Sequence, residues 1–406
     1  MLILAMYGVQ AQFPTACPTP SEGQCCPSFQ NAVCGGADRG VCANVTDPAG
    51  GSPCDPAHLP QLKWLTDSYT HFCACKPGFR GVACEKCAYG YQGADCKQKA
   101  PLRVRRDFST LTKAEQDAFI AALLKSKQLI APYHVPNAAG AVSRYDFLVW
   151  VHYYSVMYHP TEDYAHAGPG FLTWHRAYML ALDELLQEVT GDPTYAVPYW
   201  NWANPDGKCT AAVLAAFGGD GHDDGICHTP AGGCNCSLTT GPFAAWRTIG
   251  ADPGLNASHL HPPLKRALGC DPTATTLPSP HALEYAVRYP IYDAAPFNDS
   301  THLLSFRNLM EGFALTPVHT EPMPKHRDLH NRLHIHIGGT MYNVELAASD
   351  PLFWPHHAFV DMQFERWIRN QEEHCILIPG PSTGAAAGHN YRECLMPIVP
   401  LVTHET

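Results

Sequence analysis

Apolar positions recur at helical spacing in several stretches beyond residue 110. Thr112-Lys-Ala-Glu115 is a capping box, and Phe119, Ala122 and Leu123 continue at the spacing of one helix face. Residues 143–158 and 171–189 predict two further helices, the second ending before Gly191, a suitable cap. A fourth is predicted over about 326–336, stopped by Gly338-Gly339. A fifth covers about 353–370, with Pro355 in its first turn. Residues 12–100 lack helical periodicity and are rich in Cys, Gly and Pro. Lys97–Arg106 reads as a solvated basic linker, and 203–280 as loops held by disulfides.

Composition narrows the class. The 406 residues carry 27 basic and 37 acidic side chains, a net charge of −10, which excludes a basic nucleic-acid footprint. With 46% hydrophobic and 16% charged residues, intrinsic disorder is excluded as well. No apolar window is long enough to span a membrane. Of 18 cysteines, 11 lie between Cys17 and Cys96, a density that favours an oxidising compartment. Residues 1–11 are expected to be a partial signal peptide, with an apolar run before Val9-Gln10-Ala11. Sequons at Asn44, Asn235, Asn256 and Asn298 agree with a secretory route, to secretion or to the lumen of a melanosome-like organelle.

A short repeat lies inside the Cys-rich stretch. Cys75-x2-Gly78-Phe79-x-Gly81-x2-Cys84 returns 12 residues later as Cys87-x2-Gly90-Tyr91-x-Gly93-x2-Cys96. Including Cys73, the first copy resembles the C-terminal half of an EGF-like domain, and pairs Cys75–Cys84 and Cys87–Cys96 are expected. A zinc ribbon competes, because Cys84-x2-Cys87 has ligand spacing. Cys54 is the odd cysteine of this module.

The 23 histidines carry the candidate chemistry. His152 sits mid-helix among aromatics, His166 precedes the 171–189 helix, and His175 lies on it. His330 and His334 are four apart and so share a helix face, with His336 on the other side. His356 and His357 open the last helix. A buried imidazole triplet is costly unless it binds a metal, and three neutral nitrogens suit Cu, Zn or Fe. Two triplets on facing helices predict a dinuclear site in a bundle core.

These residues resemble the tyrosinase family of type-3 copper proteins, in its animal form. The strings that carry the resemblance are Trp150-Val-His152-Tyr-Tyr, Ala165-His166-Ala-Gly-Pro-Gly-Phe171, Trp174-His175-Arg176 and Pro198-Tyr-Trp-Asn-Trp202. They continue with Phe306-Arg-Asn-Leu-Met-Glu311-Gly-Phe313, Leu329-His330-Asn331-Arg-Leu-His334 and Asp350-Pro-Leu-Phe-Trp-Pro-His356-His357-Ala-Phe-Val-Asp361. The resemblance runs from about Cys17 to Pro400. It implies a mainly α fold: a four-helix-bundle core around a dinuclear metal site, long disulfide-held loops, and a small N-terminal Cys-rich EGF-like module. The expected organisation is that module at 12–100, a catalytic domain at 101–400 and a tail at 401–406.

The resemblance also implies ligands. One copper falls to His152, His166 and His175, and the other to His330, His334 and His357, taking the second His of the pair rather than His356. Phe353 stands as the ring beside the site, and Asp361 as the group that fixes a ligand's tautomer. Glu311 and Asn331 are implied to hold a water through which Glu311 takes the phenol proton. Phe313 and Val344 are implied to line the ring pocket, His334 to stack on substrate, and Arg332 to face water rather than a substrate carboxylate. Tyr164 stands where some type-3 proteins carry a thioether cysteine, so no thioether is expected.

The implied activity uses O2 as co-substrate. Monophenols such as L-tyrosine are hydroxylated at the ortho position, and catechols such as L-DOPA are oxidised to o-quinones, as in melanin synthesis. Small phenols, catechols and O2 are the expected partners, and a monomer the expected state. Competing readings are a zinc-containing dopachrome tautomerase, a catechol oxidase and an O2 carrier. His356-His357-Ala-Phe-Val-Asp361 favours the copper oxidase over the tautomerase.

Overall fold

The computed structural model describes residues 26, 28–44, 71–81, 83–131, 142–157, 163, 165–219, 236–249, 262–294, 297, 304–313 and 328–370. Residues 1–11, 401–406, Cys54, Tyr164, Asn235, Asn256, Asn298 and the Asn44 side chain lie outside the described parts. The chain divides into one compact unit of Met1–Ala100, Ala131–Val142 and Arg392–Thr406 and a second of Pro101–Ile130 and Ser143–Tyr391.

The first unit is built from short hairpins and disulfides. Strands β1 (Ser28–Phe29) and β2 (Ala32–Val33) pair, as do β3 (Gly40–Asn44) and β4 (His71–Cys75), all antiparallel. β5 (Phe79–Arg80) pairs with β6 (Lys86–Cys87), and β7 (Tyr91–Gln92) with β8 (Gln98–Lys99), one small hairpin per copy of the repeat. Cys75–Cys84 and Cys87–Cys96 are bonded, and Cys26–Cys42 and Cys34–Cys73 join them. The zinc-ribbon alternative fails here, since Cys84 and Cys87 sit in separate disulfides and neither offers a thiolate. The buried cystines Cys26, Cys34, Cys73 and Cys84 form the module's core, which is how so short a chain replaces aliphatic packing.

The second unit is helical. Its helices are α1 (Lys113–Ser126), α2 (Arg144–Met157), α3 (Phe171–Thr190), α4 (Lys208–Phe217), α5 (Pro280–Arg288), α6 (Phe306–Glu311), α7 (Leu329–Ile337) and α8 (Phe353–Asn370). One short strand pair, β9 (Cys236–Ser237) with β10 (Lys265–Arg266), accompanies them. The Thr112 capping box forms, with both reciprocal bonds to Glu115. Gly191 ends α3 in the left-handed region at φ 74° and donates its N–H to the Gln187 carbonyl. Helix α3 packs on α8 and on α2, and α6 packs on α7 and α3, so that α2, α3, α7 and α8 surround one centre. No helix among the described residues is long and apolar enough to cross a membrane.

Two expectations need correction. Residues 203–280 are not wholly loop: α4 lies there. Its core, Ala-Ala-Val-Leu-Ala-Ala, has strong helix propensity, and Gly207 and Gly218 punctuate it; the Gly- and Cys-rich surroundings obscure that signal. Nor is the basic segment before α1 merely a solvated connection. Arg105 donates two parallel bonds to Asp183 of α3, at 3.0 and 2.7 Å, and Arg106 reaches Glu115. The Asp183 carboxylate is buried and also accepts from the Val197 N–H at 2.9 Å. The segment is a strap across α3.

Two other buried ion pairs set the site's neighbours. Arg266 and Asp350, both 0% exposed, pair bidentately at 2.8 Å. Asp350 also accepts the Leu352 N–H, which fixes the chain just before α8. In the second pair Asp293 holds Arg307, which lies on the helix that carries Glu311. Gly312 closes that helix, α6, at φ 103°, and a Cβ there would meet the Asp328 carbonyl oxygen at 1.9 Å. Only glycine allows α6 to pass so close to the start of α7.

Replacing Arg105 by Met should leave the buried Asp183 carboxylate with only the Val197 N–H and the Arg103 guanidinium 3.8 Å away. The expected loss is about 3 kcal/mol of unfolding free energy in urea titration. Adding Asp183→Asn to that variant should recover part of it, whereas a loss without recovery would mean that the strap works through packing alone.

Candidate metal centre

Each histidine of interest reaches the centre from a different backbone setting. His152 comes from the middle of α2 and His175 from the first turns of α3. His166 comes from the loop before α3, where the Asp163 carboxylate accepts the N–H groups of Ala165 and His166 at 2.9 Å. His330 and His334 share the inner face of α7, and His356 and His357 open α8. Ala167, next to His166, has φ 58°, and Leu329, before His330, has φ 40°. Such conformations cost on the order of 1–3 kcal/mol in a residue with a Cβ, and here both adjoin a candidate ligand.

The nitrogens converge in two groups. In one, the Nε2 atoms of His330, His334 and His357 stand 3.1, 3.2 and 3.4 Å from one another. In the other, His152, His166 and His175 each place a ring nitrogen within 4.8 Å of the others. The groups abut: the His175 and His357 rings stack at 4.4 Å, and His175 lies 6.3 Å from His330. Phe353 stacks on His357 at 3.9 Å and meets His152 edge-on at 5.3 Å, so it touches a ring of each group.

Tautomers follow from the outer nitrogens. Nδ1 of His175 donates to the Phe171 carbonyl at 2.9 Å, and Nδ1 of His334 to the Met341 carbonyl at 2.9 Å. His330 Nδ1 faces Asn331 Oδ1 at 3.1 Å, and His166 Nδ1 faces the Asp163 carboxylate at 3.2 Å. An acceptor at Nδ1 leaves the lone pair on Nε2. The lone pairs of His330 and His334 therefore point at each other at 3.1 Å with no proton between them, an arrangement that a cation relieves. His175 Nε2 has no partner among the described residues. Neither nitrogen of His152 makes a hydrogen bond among those residues, although the Glu345 carbonyl is near enough to favour its protonation.

Burial holds these rings neutral. It pushes His152, His175, His330 and His357 well below the usual histidine range, and neighbouring imidazoles push the same way. His334 falls to about 4, again chiefly by burial. His166 is the exception: burial pulls it down, but Asp163 and then Glu311 outweigh that and raise it. Imidazole nitrogen donors of intermediate softness, in two groups of three, fit two copper ions and would also accept zinc.

Other roles expected from the chain's motifs resolve differently. His356 Nδ1 is taken by the Trp202 indole at 3.1 Å, while His336 bonds the Ala274 carbonyl, away from both groups. Asp361 does not orient a ligand: it pairs with Arg176, and His357 Nδ1 has no partner among the described residues. Residue 361 lies one helical turn beyond His357, and the Arg176 guanidinium on α3 claims its carboxylate. Arg332 does not face water as expected. It is buried and donates to the Thr276 and Thr273 carbonyls and to Thr276 Oγ1, at 2.9, 3.2 and 3.0 Å. Phe313 is half-buried after Gly312, and Val344 is exposed at the start of a 3-10 turn.

Glu311 is fully buried. One oxygen accepts the Ala167 N–H at 2.5 Å and the other the Arg307 guanidinium at 3.1 Å. Burial pushes its carboxyl up to about 7, against the pull of Arg307 and His166. Arg307 is itself held by Asp293 at 2.9 and 3.1 Å. Sequence reasoning missed Asp163 and Arg307. Both had a local signal, an acidic residue three before a candidate ligand and an arginine four before a candidate base on one helix face.

If the triplets hold separate ions, His330→Ala should lower bound copper from two equivalents to about one by elemental analysis. Copper should also raise the melting temperature of the unaltered protein, and a chelator should reverse it. Retention of both equivalents by the variant would remove His330 from the ligand set.

Residues 142–370 match the family model described as the common central domain of tyrosinase. A tyrosinase of Felis catus is 31% identical over 96% of this chain and 78% of its own length. A 5,6-dihydroxyindole-2-carboxylic acid oxidase of Carassius auratus is 30% identical over 100% of this chain and 82% of its own. A polyphenol oxidase structure from Thermothelomyces thermophila covers 66% of this chain and 70% of its own, at 24% identity and a TM-score of 0.48. With the helices and histidine groups already in place, the match over the central domain and the near full-length relatives establish that this chain belongs to the tyrosinase family.

Proposed function

We propose that this oxidoreductase is a tyrosinase in the strict sense: it hydroxylates monophenols at the ortho position with O2 and oxidises catechols to o-quinones. The observation that carries the reading is Glu311, a buried carboxyl raised to about 7 whose oxygen touches the residue after His166. A pKa near the working pH is what a base for a phenol needs. A copper pair, when bound, supplies the two-electron chemistry with O2.

The chain's own residues have separable tasks in this proposal. His152, His166 and His175 hold one ion, and His330, His334 and His357 the other. Phe353 packs against a ring of each triplet and holds it in place. Ala167 and Arg307 hold the Glu311 carboxylate in place, and each of its oxygens keeps a lone pair for a water or a phenol hydroxyl. Asn331 acts first on His330, whose tautomer its carbonyl sets, so only its amide NH2 is left for the water proposed beside Glu311. Phe313 and Val344 flank the ring pocket, with His334 stacking on substrate. Four disulfides among the described residues suit synthesis in the secretory pathway.

The relative named as a 5,6-dihydroxyindole-2-carboxylic acid oxidase, at 30% identity, motivates the second reading: a dihydroxyindole oxidase without monophenol activity. Oxygen uptake with L-tyrosine and with L-DOPA, on a sample of measured metal content, separates the two. Uptake with both substrates supports the proposal, and uptake with catechols alone favours the second reading. Two zincs, with no oxidase activity after copper reconstitution, would favour a tautomerase.

Glu311→Gln should lower monophenol hydroxylation by about 100-fold or more while sparing catechol oxidation comparatively. In the unaltered protein the monophenol rate should fall as pH drops through about 7, because the carboxylate gains its proton there. The glutamine variant should lack that acid limb. A limb that persists unchanged assigns it to another group. Asn331→Ala should harm monophenol turnover more than catechol turnover; equal losses would mean that it serves only the His330 ligand.

A further inference from the structure

His356 sits beside the second triplet, and its hydrogen bonding decides what it can do there. The Trp202 indole Nε1–H meets His356 Nδ1 at 3.1 Å. An indole nitrogen only donates, so Nδ1 accepts, and the neutral ring carries its proton on Nε2. That Nε2 has no partner among the described residues, and the side chain is 0% exposed. The ring stacks on His330 at 5.0 Å and 17°, and meets His334 and His357 at 5.0 and 4.9 Å. One nitrogen from each of the four rings lies within 4.8 Å of the others.

Trp202 is itself well fixed. It is buried, and its ring stands edge-on to Phe359 of α8 at 4.8 Å. Two residues earlier, the Trp200 N–H donates to the Pro355 carbonyl at 2.9 Å, which ties this segment to the first turn of α8. The indole and the imidazole are therefore placed by the same contact.

We propose that His356 is a hydrogen-bond donor to the second metal position and not a fourth ligand. A protonated Nε2 has no in-plane lone pair to give an ion. It offers an N–H to a small anionic or oxygen-bearing ligand held at His330, His334 and His357. A buried donor without an acceptor is unfavourable, and such a ligand supplies the acceptor. The Trp202 bond also opposes the other tautomer, in which His356 would compete with its neighbour His357 for the ion. This assignment rests on the reading of the two triplets as copper sites.

The test uses the copper(II)-loaded protein, with fluoride as the small hydrogen-bond acceptor and isothermal titration calorimetry as the readout. Copper is counted on each sample. His356→Met, which removes the donor, should keep two coppers and bind fluoride about tenfold more weakly. His356→Gln, which restores an N–H near the Nε2 position, should recover most of that affinity. Copper falling to about one equivalent in His356→Met would make His356 a ligand and overturn the proposal, as would unchanged fluoride affinity. Should that variant not fold, Trp202→Phe keeps the imidazole and frees its tautomer. Weaker fluoride binding at full copper content is then expected, and unchanged binding refutes the assignment. An unaltered protein that fails to take up two coppers sinks the dicopper reading instead, before any variant is compared.

Discussion

Neutral imidazoles packed away from water, with their lone pairs turned toward one another, set the terms for the rest of the second unit. Three Nε2 atoms within 3.4 Å cannot spread apart, because each ring is held from behind or from the side. Carbonyls of Phe171 and Met341, the Asn331 amide and the Asp163 carboxylate grip the outer nitrogens. Phe353, Phe171 and Trp174 wall the faces. Protonation would separate the rings electrostatically, and burial opposes it, though Asp163 and Glu311 prevail at His166. The remaining way to satisfy so many inward lone pairs is a cation at each convergence point.

Holding that arrangement explains the unusual polarity of the scaffold. Arg266–Asp350 fixes the chain before α8, Arg307–Asp293 fixes the helix that carries Glu311, and Arg105–Asp183 straps α3. Buried pairs of this kind add little net stability over apolar packing, since both ions lose water. Their value lies in direction, because a bidentate guanidinium–carboxylate pair admits one relative orientation where a leucine contact admits many. Each of the three sits within a few residues of a candidate ligand, of the candidate base, or of the helix that bears one. The pattern is that of a shell built for placement.

How much of this was legible in the chain depends on the range of the interaction. The helices bearing His152, His175, His330 and His357 showed in apolar spacing, and their observed ends differ from the expected ones by a few residues. The common face of His330 and His334 followed from helical geometry alone. The two hairpin disulfides followed from a repeat of fixed length. What the chain did not reveal were contacts between residues far apart in sequence. Arg332 looked like a surface cation until Thr273 and Thr276 enclosed it. Asp361 had the right offset from His357, but Arg176, 185 residues away, took its carboxylate. The proposed choice of His357 over His356 has the same character: adjacency makes spacing useless, and the observation behind it is an indole 154 residues away from His356.

Placement of this quality has a cost that the folded chain carries before any ion binds. Ala167 and Leu329 hold left-handed backbone angles beside candidate ligands, and the inward lone pairs repel. A ligand that binds only the folded form stabilises it in proportion to the logarithm of its excess over the dissociation constant. Strain and lone-pair repulsion stored in the folded form are therefore offset when ions enter. At α3 and α8, packing and the Arg105 and Arg176 pairs must keep the rings together beforehand. A softer scaffold would let the rings turn outward, protonate and find water, and the ions would then have to reorganise the site before binding. Rigidity around neutral imidazoles thus converts folding free energy into a preformed donor set, which is why the polar shell extends well beyond the six rings it serves.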